Sequence, residues 1–345
     1  MSERGRPSHS IAVLGCGHWG PNHVRVFGAL PGVSVDWAVD PDAARRRQMA
    51  GLHRGLRVTD RLEDVLGDPA VDGVVVATPA ATHRELALAA IRAGKHVLCE
   101  KPLALTAADC AELVAAAARA RVALMVGHVF VFNHGILKVK DLLDARDLGR
   151  VLYATAVRAN RGPVRQDVNA LFDLAAHEVS IFNFLFDAVP DTVSASARAF
   201  VRPGVEDVAF VTLDYPDDVF AGVTVSWLHP RKVRTISVVG DKKMAVFDDL
   251  SASPVSVHAG GGEEPFYASF GEFTRLARSA DVAVAPVVPE EPLLRQARAF
   301  VDAIETGEAG AASGERGADV VRVLEAIGAS LQAGGARTPV PPRRH

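Results

Sequence analysis

The stretch "IAVLGCGHWGPN", residues 11–22, decides the fold of this chain. A short apolar run ends in three glycines, Gly15, Gly17 and Gly20, and Pro21 suits the first turn of a helix. A strand running into a helix through such a loop is built to receive a pyrophosphate. Gly15 allows the tight turn, Gly17 lets backbone approach the anion, and Gly20 permits helix and strand to pack closely. The N-terminus of the helix faces the anion. His18 and Trp19, set between the last two glycines, belong to the same expected dinucleotide contact.

Further along, "VSVDWAVD", "DGVVVATP", "KHVLCEKP" and "VALMVGH" repeat the apolar run, separated by amphipathic stretches. Gly94 closes "HRELALAAIRA", and Thr106 caps "AADCAELVAAAARA". This alternation predicts a doubly wound α/β domain with a parallel sheet over residues 10–126, after a disordered tail at 1–9. Beyond "HGILKVKDLLDARDLG" the texture changes to long alternating runs such as "RVLYATAVRAN", "DVAFVTLDYP" and "VFAGVTVSWLH". These read as antiparallel strands, with "DYPDDV" as a hairpin turn, and helical patterns return near the end. Residues 127–345 are therefore expected to form a second α/β domain with an open, mainly antiparallel sheet.

Composition excludes several classes. With 345 residues, 49% of them hydrophobic, the chain buries large cores, and 38 basic against 41 acidic residues are well mixed. No basic field invites nucleic acid. The apolar run "LMVGHVFVF" is too short to span a bilayer, and "MSERGRPSHS" has no apolar core of a leader. Three cysteines without paired spacing fit reduced thiols in a cytoplasmic protein. The histidines form no metal-ligand pattern, so no metal is expected.

Candidate site residues fall at strand ends, where ligands bind in such sheets. Asp40, 25 residues after Gly15, stands where an acid accepts the hydroxyls of an adenosine ribose and repels a 2′-phosphate, which favours NAD while leaving NADP possible. Arg45, Arg46 and Arg47 follow, and read as a solvated helix face. Thr78 and Pro79 in "ATPAATH" end the fourth strand and can flank the cofactor, with His83 either beside it or a polar helix start. Glu100-Lys101-Pro102 ends the fifth strand, where Glu100 and Lys101 are expected to contact the cofactor. Lys101 is either a structural partner of Glu100 or a site residue, and adjacent strand residues pointing to opposite faces weaken the first reading. In "VNALFDLAAHEVSIF", residues 168–182, Asn169, Asp173, His177 and Ser180 lie at steps of four, four and three. On one helix they form a narrow polar stripe without a lysine, arginine or glutamate, suited to a cleft rather than bulk water. An Asp–His helix-surface pair is the alternative.

Taken in order, "GCGHWG", "VDP", "ATPAATH", "CEKPL", "GHVFVFN", "DLAAH" and "RQARAFVDAIETG" make the chain resemble the Gfo/Idh/MocA oxidoreductases along nearly its whole length. The resemblance implies an N-terminal Rossmann domain, a C-terminal α/β domain, a site at their junction and a homo-oligomer, dimer or tetramer. It also implies that Lys101 reaches substrate and nicotinamide, and that Asp173 and His177 are the D-x-x-x-H catalytic pair. The segment "NRGPVRQDVNALFDLAAHEVSIFNFL" looks most like sugar-nucleotide dehydrogenases acting at C3 of a hexosamine or its uronate. Many members continue the motif as H-D-x-D, whereas this chain has His177-Glu178-Val179-Ser180.

The expected reaction is reversible hydride transfer between a secondary alcohol carbon of a sugar and nicotinamide. His177 is the expected base, Asp173 holds its tautomer, and Lys101 donates to the reacting oxygen, with Lys101 as the alternative proton acceptor. Arg158, Arg161 and Arg165, with Asn160 and Asn169, are expected to hold an anionic, nucleotide-linked substrate. The alternatives are surface charges at those positions, a keto-sugar reductase or cyclitol dehydrogenase of the same fold, and a dinucleotide-binding sensor without catalysis.

Overall fold

A computed structural model describes residues 8–162, 168–259 and 282–343, which fall into two compact units. The first gathers the described parts of 1–132, 290–322 and 342–345. Its sheet contains β1 (His9–Leu14), β2 (Val33–Val39), β3 (Arg57–Thr59), β4 (Gly73–Val76), β5 (His96–Cys99) and β6 (Leu124–Val126), in the order β3-β2-β1-β4-β5-β6. Every pairing is parallel. Between them run α1 (Gly20–Gly28), α2 (Ala43–Leu52), α3 (Leu62–Leu66), α4 (His83–Arg92) and α5 (Ala107–Ala120).

The β1 and β4 runs are buried on both faces, which is why they read as unbroken apolar stretches rather than alternating ones. Leu88 and Ile91 of α4 and Leu113 of α5 close over them, each such side chain contributing roughly 1.5–3 kcal/mol on burial. Because the chain runs outward from β1 to β3 and then returns to β4, the order reverses between β1 and β4. A crevice opens there at the carboxyl ends of the strands.

The helix Pro292–Thr306 also belongs to this unit: Phe300 meets Phe27 edge-on at 6.0 Å, and a Cβ at Gly73 would sit 3.0 Å from Phe300. The expected boundary at 126/127 is therefore corrected. The first unit continues to Phe132 and recovers 290–322, a return that no local pattern announces. Of the expected tail, residues 1–7 lie outside the described residues and His9 already opens β1.

The second unit holds α6 (His134–Asp144), β7 (Val151–Arg161), α7 (Ala176–Phe186) and strands β8 (Thr192–Arg198), β9 (Val208–Tyr215), β10 (Val219–Ser226), β11 (Leu228–Gly240), β12 (Lys243–Asp248), β13 (Val255–Ala259), β14 (Val282–Val284) and β15 (Thr338–Pro339). They form one nine-stranded sheet, β14-β13-β12-β11-β7-β10-β9-β8-β15, antiparallel except where β7 pairs with β10. The β9–β10 turn is made by Asp217 and Asp218, both at positive φ near 60° as a tight hairpin requires. One sheet face exposes Tyr153, Phe210 and Phe220, with the rings of Tyr153 and Phe220 stacked at 5.9 Å.

Candidate active site

In the first unit the glycine loop separates what the protein itself needs from what a ligand needs. Gly15, at φ 95°, would place a Cβ 2.5 Å from the Ala77 carbonyl oxygen, and a Cβ on Gly20 would sit 2.1 Å from that of Gly15. Those two glycines are forced by the crossing of β1, β4 and α1. A Cβ on Gly17 would meet nothing closer than the Arg45 Nη1 at 3.8 Å, so the protein alone does not demand glycine there. An approaching pyrophosphate does, and the loop fits a dinucleotide. His18 and Trp19 are exposed beside it, their rings edge to face at 5.4 Å.

Asp40 is 3% exposed; one carboxylate oxygen accepts from the Cys16 N–H and the other from the Asp42 N–H, each at 2.8 Å. Burial and then the nearby Asp40 charge push the Cys16 thiol up to about 11, so this cysteine stays protonated. The three arginines do not behave alike. Arg46 donates to the carbonyls of Asp40 and Pro41, and Arg45 reaches back over Gly17 with Nη1 3.8 Å from Asp40 Oδ2. Arg45 is thus a cation beside the Asp40 carboxylate, a place its sequence neighbours concealed. We expect Asp40→Ser to raise the NADP-to-NAD ratio of kcat/KM. It should also lose about 1–3 kcal/mol of stability as two backbone donors lose their acceptor. Steady-state kinetics with both cofactors and denaturant unfolding check this, and an unchanged ratio would remove Asp40 from cofactor selection.

At the ends of β4 and β5, two expectations are corrected. His83 is buried, with Nδ1 2.7 Å from the Pro102 carbonyl oxygen and Nε2 2.9 Å from that of Thr78. Both nitrogens are taken by backbone, so His83 braces the Thr78–Pro79 turn against the Lys101–Pro102 turn instead of facing a cofactor. Glu100 turns inward too, its Oε1 2.8 Å from Nε2 of the buried His23 on α1. Burial alone raises the Glu100 pKa, but the hydrogen bond and charge of His23, with Lys101, outweigh it and hold the carboxyl below its ordinary value. Lys101, half-buried, therefore extends from a turn pinned on both sides.

Behind it stands a histidine that sequence reading passed over. His128 is buried, and burial first, then the Lys101 charge, pushes it down to about 4, against the opposing pull of Glu100. A neutral imidazole adds no repulsion to Lys101. Since the unfolded chain takes up this proton near 6.5 and the folded chain only near 4, the stabilisation is complete above 6.5. It drains away as pH falls toward 4, by on the order of 3 kcal/mol. His128→Phe should flatten that part of a stability-against-pH curve; an identical slope in the variant would contradict the assignment.

In the second unit the sequence stripe is only partly realised. Leu171–Ala175 forms a π-turn and α7 starts at Ala176, so the segment is not one regular helix. Asp173 and His177 are half-exposed, whereas Ser180 is buried and donates from Oγ to the His177 carbonyl at 2.7 Å. Asn169 is occupied as well: Oδ1 accepts from the Phe172 N–H at 3.0 Å and Nδ2 donates to Glu206 at 2.8 Å. It fastens the π-turn and is not an open substrate contact. Arg158 is corrected in the same way, being buried in an ion pair with the buried Glu178. Asn160 is half-exposed and Arg161 exposed at the end of β7, and Arg165 lies outside the described residues. The expected three-arginine fork is thus reduced to Arg161 among the described residues. Trp227, also unanticipated, donates from Nε1 to Asp173 Oδ2 at 3.2 Å.

Comparison with known proteins agrees with this division. The family model described as an oxidoreductase family with an NAD-binding Rossmann fold matches residues 9–128, and the GFO/IDH/MocA C-terminal domain matches 136–246. Inositol 2-dehydrogenase 1 of Saccharopolyspora erythraea is 32% identical over 338 residues, covering 92% of each chain. Alignments to further inositol 2-dehydrogenases span about two thirds of those proteins' length. Among solved structures, GenD2 from gentamicin A biosynthesis, in complex with NAD, is 28% identical with a TM-score of 0.81, covering 99% of this chain and 98% of that one. UDP-N-acetylglucosamine 3-dehydrogenase of Acidithiobacillus ferrooxidans, 22% identical with a TM-score of 0.81 over 94% of this chain and 97% of its own, shares the fold. The finer likeness to sugar-nucleotide dehydrogenases therefore reduces to likeness of architecture. With both parts matched in order, a dinucleotide loop and a relative aligned along nearly its full length, the chain belongs to the GFO/IDH/MocA family and is an NAD-dependent oxidoreductase.

Proposed function

We propose that this oxidoreductase acts on a ring secondary alcohol of a cyclitol or an unactivated sugar, with the reverse keto-reduction running through the same residues. The observation that carries the reading is the pair Asp173 and His177, half-exposed one turn apart on the segment that starts α7. NAD, when bound, supplies the hydride acceptor. His177 takes the hydroxyl proton, which contributes about 10²–10⁴-fold to the rate. Asp173 keeps its anionic charge available to stabilise the imidazolium, and Lys101 donates a hydrogen bond to the oxygen as it becomes a carbonyl.

Two things favour an uncharged substrate. Arg158 is paired with Glu178, so of the three arginines expected to hold an anion Arg161 alone is exposed among the described residues, where a diphosphate calls for several. The relatives of about one-third identity are inositol 2-dehydrogenases. Oxidation at C3 of a nucleotide-activated hexosamine is the second reading, and Arg161 with Asn160 is its support.

The test is reduction of nicotinamide on addition of myo-inositol, free glucose, UDP-N-acetylglucosamine or its uronic acid. Turnover of the cyclitol or free sugar is expected; turnover of the nucleotide sugars alone would replace this reading with the second. A homo-oligomer, dimer or tetramer, belongs to the same proposal and is supported by the exposed Tyr153, Phe210 and Phe220. Sedimentation of the intact chain reads it. A cytoplasmic setting is supported by three buried free cysteines. No helix among the described residues is long and apolar enough to cross a membrane.

A further inference from the structure

We infer that Trp227 is a positioning residue that aims and holds ionised the carboxylate of Asp173; the inference rests on the proposed role of Asp173 and His177. Trp227 links β10 to β11 and is 2% exposed. Its backbone is held on both sides, the N–H donating to the Asp207 carbonyl at 2.9 Å and the carbonyl accepting from the Gly162 N–H at 3.3 Å. With the main chain fixed, the indole has little freedom. Its Nε1–H is delivered 3.2 Å from Asp173 Oδ2.

Glu206, the residue before Asp207, also holds the segment that carries Asp173. The Glu206 carbonyl accepts from the Ala170 N–H at 2.9 Å, and the Glu206 carboxylate accepts from Asn169. Asp207 is fully buried, and its Oδ2 accepts from the N–H groups of Phe200 and Val201, each at 2.8 Å. Glu206 and Asp207 therefore tie the start of the π-turn and the Trp227 backbone to one rigid corner. This matters because Asp173 sits inside that π-turn, where the helix is wider and its own hydrogen bonds are poorer. The indole N–H adds a constraint on the carboxylate direction from the β10–β11 junction.

A donor on one carboxylate oxygen also favours the charged form. Losing it raises the proton affinity of Asp173 and, by freeing more charge for the imidazole, that of His177 as well. Both changes move the acid limb of the rate profile to higher pH. The other charged groups recorded around this segment, Glu178 with Arg158 and Glu206 with Asn169, are untouched by a change at Trp227.

The experiment is a kcat/KM–pH profile of Trp227→Phe, which keeps an aromatic ring and removes the donor. We expect a loss of about 10-fold at the optimum, carried by kcat, and an acid limb displaced upward by roughly one pH unit, with NAD affinity unchanged. The paired measurement is the same substitution in an Asp173→Asn background, where it should cost little more. A native profile in Trp227→Phe, or an equal loss in both backgrounds, would overturn the inference. Should Trp227→Phe not fold, Trp227→Met, likewise apolar and without an N–H or O–H donor, replaces it in both measurements and is judged by the same two results. High activity in Asp173→Asn itself would instead count against the reading of the site.

Discussion

Lys101→Ala is expected to lower kcat by at least ~10²-fold while leaving NAD affinity nearly unchanged. Lys101 extends from a turn fixed on both sides. Glu100 is anchored on His23, and Pro102 is anchored through its carbonyl on His83. Truncating the side chain between those anchors leaves the turn in place, so the loss reads the ammonium group alone. That group stands next to Glu100, whose carboxyl is held below its ordinary pKa, and to His128, whose pKa is pushed down to about 4. A donor to an oxygen that changes from hydroxyl to carbonyl matters most as charge develops there, so the effect falls on kcat. Near-native turnover in this variant would remove Lys101 from the chemistry.

For His177→Asn we expect a loss of about 10²–10⁴-fold together with disappearance of the neutral-pH inflection in the rate profile. An amide of similar reach preserves hydrogen bonding but cannot take the proton. Ser180 bonds the His177 carbonyl rather than its ring, so that support of the backbone survives the substitution. A variant that keeps the inflection would assign it to another group, Lys101 being the alternative acceptor. Comparing the two variants under identical conditions separates the donor of a hydrogen bond from the acceptor of a proton.

Much of the fold can be read from local pattern, and the reason is physical. The glycine loop, the Thr106 cap and the two aspartates of the β9–β10 turn each solve a backbone problem within a few residues, so each leaves a short signature. Burial on both faces gives β1 and β4 their apolar runs, and the one-sided burial of β7 and β10 gives them alternation. The site was less legible wherever a side chain answers to a distant partner. Arg158 looked like an anion fork because Glu178, 20 residues on, carries no sign of being its mate. His83 looked available because both its partners are main-chain carbonyls, which have no letter in the sequence, and Asn169 because one partner is a main-chain N–H and the other is Glu206, 37 residues on. Trp227 reaches Asp173 across 54 residues from a strand junction. The π-turn at Leu171–Ala175 breaks the 100° step on which the polar stripe was drawn, which is why Asp173 and His177 stay half-exposed while Ser180 turns inward.

The central claim is hydride transfer from a ring carbinol to NAD, and isotope transfer tests it most directly. The intact chain is incubated with NAD and either myo-inositol or free glucose deuterated at the ring carbinol carbons, and the recovered nicotinamide is examined by mass and NMR. The account predicts one deuterium at nicotinamide C4 for each ketone formed, abolished by His177→Asn. Recovery of NAD unlabelled and unreduced, under conditions where a nucleotide-sugar control reduces it or where no alcohol does, would contradict it.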